Sequence, residues 1–231
     1  MKITLIHGQN HQGSSYHIGR MIAEKIPGKN QLEEFFLPKD LNYFCIGCYM
    51  CIENEAICPF YQEKNKIMTA VEESDILIFT TPTYCMRASG PMKSFIDLTF
   101  TYWMPHKPRK SMFSKKAVVV STAAGMGTKS AIKDISQTLL FWGVPYVKTY
   151  GLEVQAMGWS SVSQEKKEKI DKDTSRIANE VYKKETRVGI KTKGLFYLMR
   201  SMYKNNKGAS VKEKEYWEKQ GWLGKQRPWK E

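Results

Sequence analysis

Long hydrophobic runs are missing from this chain. No stretch of its 231 residues reaches the roughly 18–20 uninterrupted apolar residues that a membrane helix needs. The opening MKITLIHG enters an apolar strand pattern at once. It lacks the apolar core and small-residue cleavage site of a secretory leader, so the cytoplasm is the expected compartment. No G-x-x-x-x-G-K-S/T occurs, which disfavours nucleoside triphosphate hydrolysis of the P-loop kind. Cysteine is scarce, five in all, and four of the five fall between positions 45 and 58. A secreted disulfide framework spreads its cysteines along the chain. Clustered thiols in a reducing compartment read instead as metal ligands, redox groups or simple burial. Internal repeats and low-complexity linkers are also absent.

What is present suits one compact domain with an appended arm: 42% of the residues are hydrophobic. The net charge is +13, and residues 186–231, with 12 Lys+Arg against 4 Asp+Glu, carry +8 of it. A basic tail can meet nucleic acid or an anionic membrane, but solvated surface is its commoner meaning.

Strands and helices alternate along most of the chain. KITLIH (2–7) reads as a buried strand, QLEEFFL (31–37) as a weaker one, and DILIFTTP (75–82) as the clearest. KAVVVST (116–122) and the region 144–154 complete a set of five. Between them lie helical patterns: one after Ser14 or Ser15 as N-cap, one over 61–73, one over 89–101 with Pro91 near its first turn, and AIKDISQTLLFW ended by Gly143. A charged amphipathic helix follows residue 163. Apolar central strands alternating with helices predict a parallel sheet covered on both faces, and five strands suit the doubly wound order 2-1-3-4-5. The expected division is residues 1–186 as this α/β domain and 187–231 as a basic, aromatic-rich C-terminal arm. The arm carries a short helix near 194–203 and is expected to pack on the domain or a partner subunit.

Ligands of such sheets bind at the carboxyl ends of the strands beside the point where strand order reverses. Three loops meet there. GQNHQGSSY (8–16) runs into a helix start, where free amides, the helix dipole and two hydroxyls make an anion site; the plain alternative is a polar turn. TTPTYCMRASG (80–90) offers Tyr84 and an extended backbone to a flat ring, or else is a turn with a buried tyrosine. Cys85 by itself reads as a small buried side chain. STAAGMGTKS (121–130) has glycines that permit close backbone approach. Together the three describe a site for a planar mononucleotide with one phosphate.

These residues carry a family resemblance. TPTY followed by SGPMKSFID (81–84 and 89–97) resembles the S/T-P-x-Y…S-G-x-M-K-x-F-I/L-D stretch of the NAD(P)H-dependent FMN reductase and iron–sulfur flavoprotein group. The first loop and KKAVVVSTAAGMGT (115–128) resemble its phosphate loop and fourth strand. The resemblance spans about residues 1–180. It implies a flavodoxin-like fold, non-covalent FMN, a homodimer and reduction by NAD(P)H. It places Asn10, Gln12, Ser14, Ser15 and Tyr16 at the phosphate. Pro82, Thr83, Tyr84 and Cys85 would lie along the isoalloxazine, with Thr122, Ala123, Ala124 and Gly125 on the other side. His11 stands where the group commonly has Arg, Gln9 where it has Ser, and Tyr16 where it has Thr.

In FCIGCYMCIENEAICPF (44–60) the cysteines are spaced C-x2-C-x2-C-x6-C. Cys45, Cys48, Cys51 and Cys58 fit a [4Fe–4S] cluster. They also fit thiols buried without metal among Phe44, Ile46, Tyr49, Met50 and Ile52, or a zinc site, although zinc ligands usually come as two separated pairs. All three readings stay open. The expected activity is an FMN-dependent oxidoreductase that takes hydride from NAD(P)H and reduces a quinone, free flavin or similar small acceptor. Its flavin carries the chemistry, so no catalytic side chain is expected. The alternative is an iron–sulfur flavoprotein passing electrons between protein partners through FMN and a [4Fe–4S] cluster. Nucleic acid and membrane surface are not the expected partners.

Overall fold

The computed structural model describes residues 1–207 and 210–230; residues 208, 209 and 231 of the expected arm lie outside the described residues. The strands are β1 (Lys2–His7), β2 (Gln31–Phe36), β3 (Ile76–Tyr84), the two-residue β4 (Arg87–Ala88), β5 (Lys116–Ala123) and β6 (Tyr146–Glu153). The helices are α1 (Ser14–Lys25), the single turn α2 (Met50–Glu53), α3 (Tyr61–Glu73), α4 (Gly90–Leu98), α5 (Thr128–Trp142), α6 (Gln164–Lys183), α7 (Ile190–Lys204) and α8 (Val211–Lys219). The five long strands are parallel in the order β2-β1-β3-β5-β6. With the short β4 set aside, this is the expected 2-1-3-4-5. The strand β4 pairs antiparallel with the end of β3.

Alternation along each strand divides the core into two layers. Ile3, Leu5, Ile76, Ile78, Val118 and Val120 face α1 and α6, where Ile18, Ile22, Ile170 and Ile177 meet them. Ile6, Leu77, Phe79, Ala117 and Val119 face the other way, onto Ile67 and Val71 of α3, Phe95 of α4, and Leu139 and Trp142 of α5. Each such fully buried aliphatic side chain contributes about 1.5–3 kcal/mol relative to exposure. Two-sided burial is why β1, β3 and β5 read as unbroken apolar runs. The 89–101 helix is shorter than expected. It stops at Leu98, and a 3₁₀ turn covers Phe100–Tyr102.

The arm builds a third cluster. Phe196, Met199 and Tyr203 of α7 and Trp217 of α8, with Trp222 beyond it, pack on Met104 and Phe113 of the segment before β5. Trp217 Nε1 donates to the His106 carbonyl at 2.8 Å, so the large ring is buried with its one polar atom satisfied. Trp217 and Trp222 are thus buried while Lys212 and Lys219 stay exposed, so these two tryptophans do not form an open stacking surface. Trp217→Ala is expected to cost about 3–5 kcal/mol, with loss of amide protection in α7 and α8 by hydrogen exchange. Unchanged protection there would show that the arm does not depend on this anchor.

Candidate flavin site and cysteine cavity

The carboxyl edge of the sheet is tied together by short polar links. The Gly8 amide donates to the Thr80 carbonyl at 2.7 Å. Ser89 Oγ donates to the Gly8 carbonyl at 2.5 Å, and the Ser89 amide donates to Thr81 Oγ1 at 3.0 Å. A Cβ at Gly8 would lie 2.7 Å from Ser89 Oγ and 3.1 Å from the Thr80 carbonyl, so only glycine lets these strands' loops meet so closely. Below the loop, the buried His7 ring has Nδ1 2.8 Å from Thr80 Oγ1 and Nε2 3.2 Å from Glu34 Oε1. Burial holds its pKa below the ordinary value despite Glu34. A neutral ring that donates from Nε2 and accepts at Nδ1 satisfies both partners. Arg20 Nη1 completes the set by donating to Glu34 at 2.8 Å.

The helix that follows starts without a plug. Ser89, Ser163 and Ser210 cap α4, α6 and α8 by accepting from a first-turn amide. Helix α1 begins after Gly13, with no side-chain cap and no acidic residue in its first turn, as α5 and α7 also do; what sets α1 apart is its place at the strand-order reversal. The expected cap residues, Ser14 and Ser15, are in the helix rather than before it. Both are buried, in the first turn where amides lack helical partners. Asn10 and Gln12 are exposed on the loop above them. The Tyr16 ring packs on His7 and Phe36, with centroids 5.0 and 5.7 Å away. His17 stacks on Trp159 at 4.8 Å, an aromatic neighbour with no signal in the sequence.

The second loop holds the main departure from the sequence reading. Tyr84 and Arg87 pair across a two-residue turn, and the turn residues Cys85 and Met86 both have positive φ, 47° and 65°. Glycine and asparagine normally fill such positions, so nothing in TYCMRA announced a hairpin. Its cost is local strain, and Arg87 helps to hold it through an ion pair with Asp134 of α5. Cys85 is exposed, because the turn points it away from the core; the expectation of a small buried side chain is corrected. Tyr84 is exposed too, whereas Pro82 and Thr83 are half-buried, with Thr83 Oγ1 2.9 Å from Ser121 Oγ. In the third loop Thr122 and Ala123 are buried at the end of β5, and Ala124 and Gly125 are exposed. The three loops, linked by Ser89 to Gly8 and by Thr83 to Ser121, thus make one shelf at the carboxyl edge of the sheet, on which Asn10, Gln12, Tyr84, Cys85, Ala124 and Gly125 are exposed.

Gly127 seats the hairpin on the third loop. Its φ is 98°, and a Cβ there would lie 2.8 Å from Thr83 Cγ2 and 3.1 Å from Met86 Cα. By contrast, a Cβ at Gly125 meets nothing within 4 Å. Gly127→Ala is expected to destabilise the protein by about 1–3 kcal/mol in urea unfolding, and Gly125→Ala to be near neutral. Equal midpoints for the two variants would contradict this packing.

The cysteine segment lies at the C-terminal end of α4, by Asp97 and Leu98. Residues 41–49 have no regular structure. Phe44, Ile46 and Tyr49 are 70%, 65% and 66% exposed, so these three do not wrap the thiols as one of the three open readings would have them do. Cys45 and Cys48 are exposed, Cys58 is half-buried and Cys51 is buried. All four nevertheless line one half-open cavity of about 350 Å³, together with Pro59, Phe60, Asp97 and Phe100. Among the described residues no three His, Cys, Asp or Glu side chains converge as a ready metal site. Two cations anchor the inner side of the segment: Lys107 Nζ donates to the Ile52 carbonyl, and Arg109 pairs with Glu55 at 2.5 Å. Arg109 also lies over the Tyr102 ring at 4.3 Å.

An open parallel sheet that reverses its order between β1 and β3, with an uncapped helix at that point, defines the flavodoxin-like class of mononucleotide-binding folds. Within that class, the model for NADPH-dependent FMN reductases matches residues 1–156, and the chain belongs to that family. An iron-sulfur flavoprotein of Archaeoglobus fulgidus is 28% identical over 107 residues, 46% of each chain. The chain thus spans about half the length of the curated relatives it matches. Among solved structures, the NAD(P)H:quinone oxidoreductase from Methanothermobacter marburgensis superposes with a TM-score of 0.63 at 17% identity, covering 81% of this chain and 98% of the other. An FMN-dependent NADH-azoreductase from Bacillus anthracis, in complex with FMN, gives 0.57 at 14% identity, covering 78% and 100%. No helix among the described residues is long and apolar enough to cross a membrane.

Proposed function

We propose that the protein is an FMN-dependent oxidoreductase that takes hydride from NAD(P)H and reduces a small acceptor such as a quinone or free flavin. The observation that carries this reading is the uncapped start of α1 at the strand-order reversal, in a chain of the FMN reductase family. When bound, FMN supplies the redox chemistry, accepting hydride and delivering electrons onward. The chain's own part is to bind and orient. Ser14, Ser15 and the first-turn amides offer donors to a phosphate, with Asn10, Gln12 and Tyr16 around them. The dipole of α1 favours the negative charge. Pro82, Thr83, Tyr84 and Cys85 line one side of the ring, and Thr122, Ala123, Ala124 and Gly125 the other, largely through backbone. The shelf's openness leaves one ring face to a nicotinamide, to an acceptor or to a second copy of the chain.

Ser14→Asp tests the phosphate site. An acid in a helix's first turn is compatible with folding but repels phosphate. Because Ser14 is buried, the carboxylate is expected to cost some stability, so binding is compared below the variant's own melting transition, where its FMN dissociation constant is expected to rise about tenfold or more, as read by quenching of flavin fluorescence. FMN that binds wild type and Ser14→Asp equally well would sink this placement. Oxidation of NADH or NADPH on addition of a quinone tests the activity itself.

A second reading is supported by one observation: four cysteines line a single cavity in a chain similar to an iron-sulfur flavoprotein. In it, Cys45, Cys48, Cys51 and Cys58 hold a [4Fe–4S] cluster, and the protein passes electrons between protein partners. Cys51 and Cys58 sit on the anchored side, so binding has to draw in Cys45 and Cys48 from the exposed stretch. Anaerobically purified protein is then expected to carry roughly four irons and as many acid-labile sulfides per chain. Flavin without iron, after reconstitution with iron and sulfide, leaves only the reductase reading.

A further inference from the structure

The arm carries a second apolar face. Phe196, Met199 and Tyr203 commit the inner side of α7 to the arm's own cluster. Ile190, Tyr197 and Leu198 of the same helix remain 90%, 45% and 57% exposed. Their i, i+7, i+8 spacing sets them on one side of the helix. An exposed apolar patch on a helix that already buries its core face calls for a partner.

Positive charge surrounds this patch. From Thr186 to Lys212 the sequence has seven Lys and Arg and no Asp or Glu. Beside α7 lie two clefts of about 660 and 410 Å³ that share Lys110 and Lys230. Lys193 of α7 lines the first, and Lys219, Lys225 and Arg227 line the second. Among the described residues, the only carboxylate paired with a cleft-lining cation is Glu185, on Arg187. Patch and clefts are continuous. Arg227 Nε donates to the Tyr197 hydroxyl at 3.2 Å. The Trp229 ring, in the wall of the first cleft, is centred 6.1 Å from that of Tyr197.

We infer that the arm is a docking surface for an anionic lipid bilayer. Ile190, Tyr197 and Leu198 enter the interface, and the cleft lysines meet the headgroup phosphates. An apolar face flanked by cations is drawn to such a surface by both of its parts. The sequence points away from a membrane, because packing accounts for the apolar residues of 194–203; in the structure it accounts for one side of α7 only. Two other occupants fit less well. A second copy of the chain would set one basic arm against another. A nucleic acid would stack on aromatic rings, but Trp217 and Trp222 are buried, and it gains nothing from Ile190 or Leu198. The clefts lie by the turn Lys110–Ser114 that leads into the amino end of β5. Docking there leaves the shelf in water, so the inference does not depend on the flavin reading.

The test is co-sedimentation of the full chain with vesicles of phosphatidylcholine, alone or with about one-third phosphatidylglycerol, in about 0.1 M salt. Wild type is expected to bind the anionic vesicles and not the neutral ones. The triple variant Lys193→Gln, Lys219→Gln, Lys225→Gln is expected to bind about 100-fold more weakly, since each cation near a charged surface counts about fivefold. The double variant Ile190→Ser, Leu198→Ser, at exposed positions, is expected to bind about tenfold more weakly. A control triple, Lys66→Gln, Lys133→Gln, Lys172→Gln, removes the same charge from exposed sites on α3, α5 and α6 and is expected to bind as wild type does. No sedimentation with anionic vesicles overturns the inference. Equal loss in the two lysine triples also overturns it, since net charge alone then drives adsorption. So does wild-type affinity in the double variant, because the apolar face then stays out of the interface. A dimer of the free protein that the double variant dissociates assigns the face to a second copy and overturns the bilayer. Tighter binding to a single-stranded oligonucleotide than to anionic vesicles at equal phosphate overturns it in favour of nucleic acid.

Discussion

The 2.7 Å hydrogen bond from the Gly8 amide to the Thr80 carbonyl fixes the geometry of the whole carboxyl edge. It carries the β1–β3 ladder one residue past the end of β1, at the one place where strand order reverses. Because β1 and β3 are buried on both faces, neither can shift register without turning its apolar side chains out of both layers. The loop from Gly8 to Tyr16 therefore leaves the sheet at a set height, and Ser89, bonded to the carbonyl of the same Gly8, sets α4 and the second loop against it. Two loops from distant parts of the chain gain a common floor from the backbone of one glycine and one hydroxyl, and the Thr83–Ser121 hydroxyl pair ties in the third.

The fold was legible because its cause is periodic. Unbroken apolar strands, amphipathic helices and a glycine stop after α5 are local patterns, and the layers follow from them. What escaped the sequence is set by contacts with no period. The hairpin at Cys85–Met86 places two side-chain-bearing residues where glycine is usual, and it persists because Gly127 and Asp134 over-determine it from α5 and the loop before it. Ser14 and Ser15 read as caps, although the chain puts Gly13 at that position and leaves the helix start open. The cysteine spacing was visible at once. Whether its aromatic neighbours would wrap the thiols was not, since that depends on what α3 and α4 leave uncovered. Lys64 falls where a helix of charged residues looks uniformly solvated, and only the packing reveals that it faces inward.

The arm and the cysteine segment are less separate than their positions in the chain suggest. Trp217 and Tyr216 donate to the carbonyls of His106 and Pro108, and Tyr203 donates to the carbonyl of Pro105. Glu213, wholly buried, accepts from His106 Nδ1 at 2.7 Å when that nitrogen is protonated. Those contacts fix the segment 105–109, whose Lys107 and Arg109 reach across to Ile52 and Glu55. One stretch of coil thus takes its shape from the last two helices and lends it to the cysteines.

The uneven charge makes the molecule electrically polar. Lys110, Arg187, Lys193, Lys219, Lys225, Arg227 and Lys230 gather around two adjoining clefts near the amino end of β5, whereas the loop from Gly8 to Tyr16 contains neither lysine nor arginine. At physiological salt the field of the basic end fades over about 8 Å, but within that range it turns an approaching anion toward the end of the sheet opposite the shelf. The donors that the loop from Gly8 to Tyr16 offers are instead short-range amides and hydroxyls, whose pull is nearly independent of ionic strength. Added salt should weaken whatever the basic end attracts far more than it would weaken a ligand bound by those amides and hydroxyls.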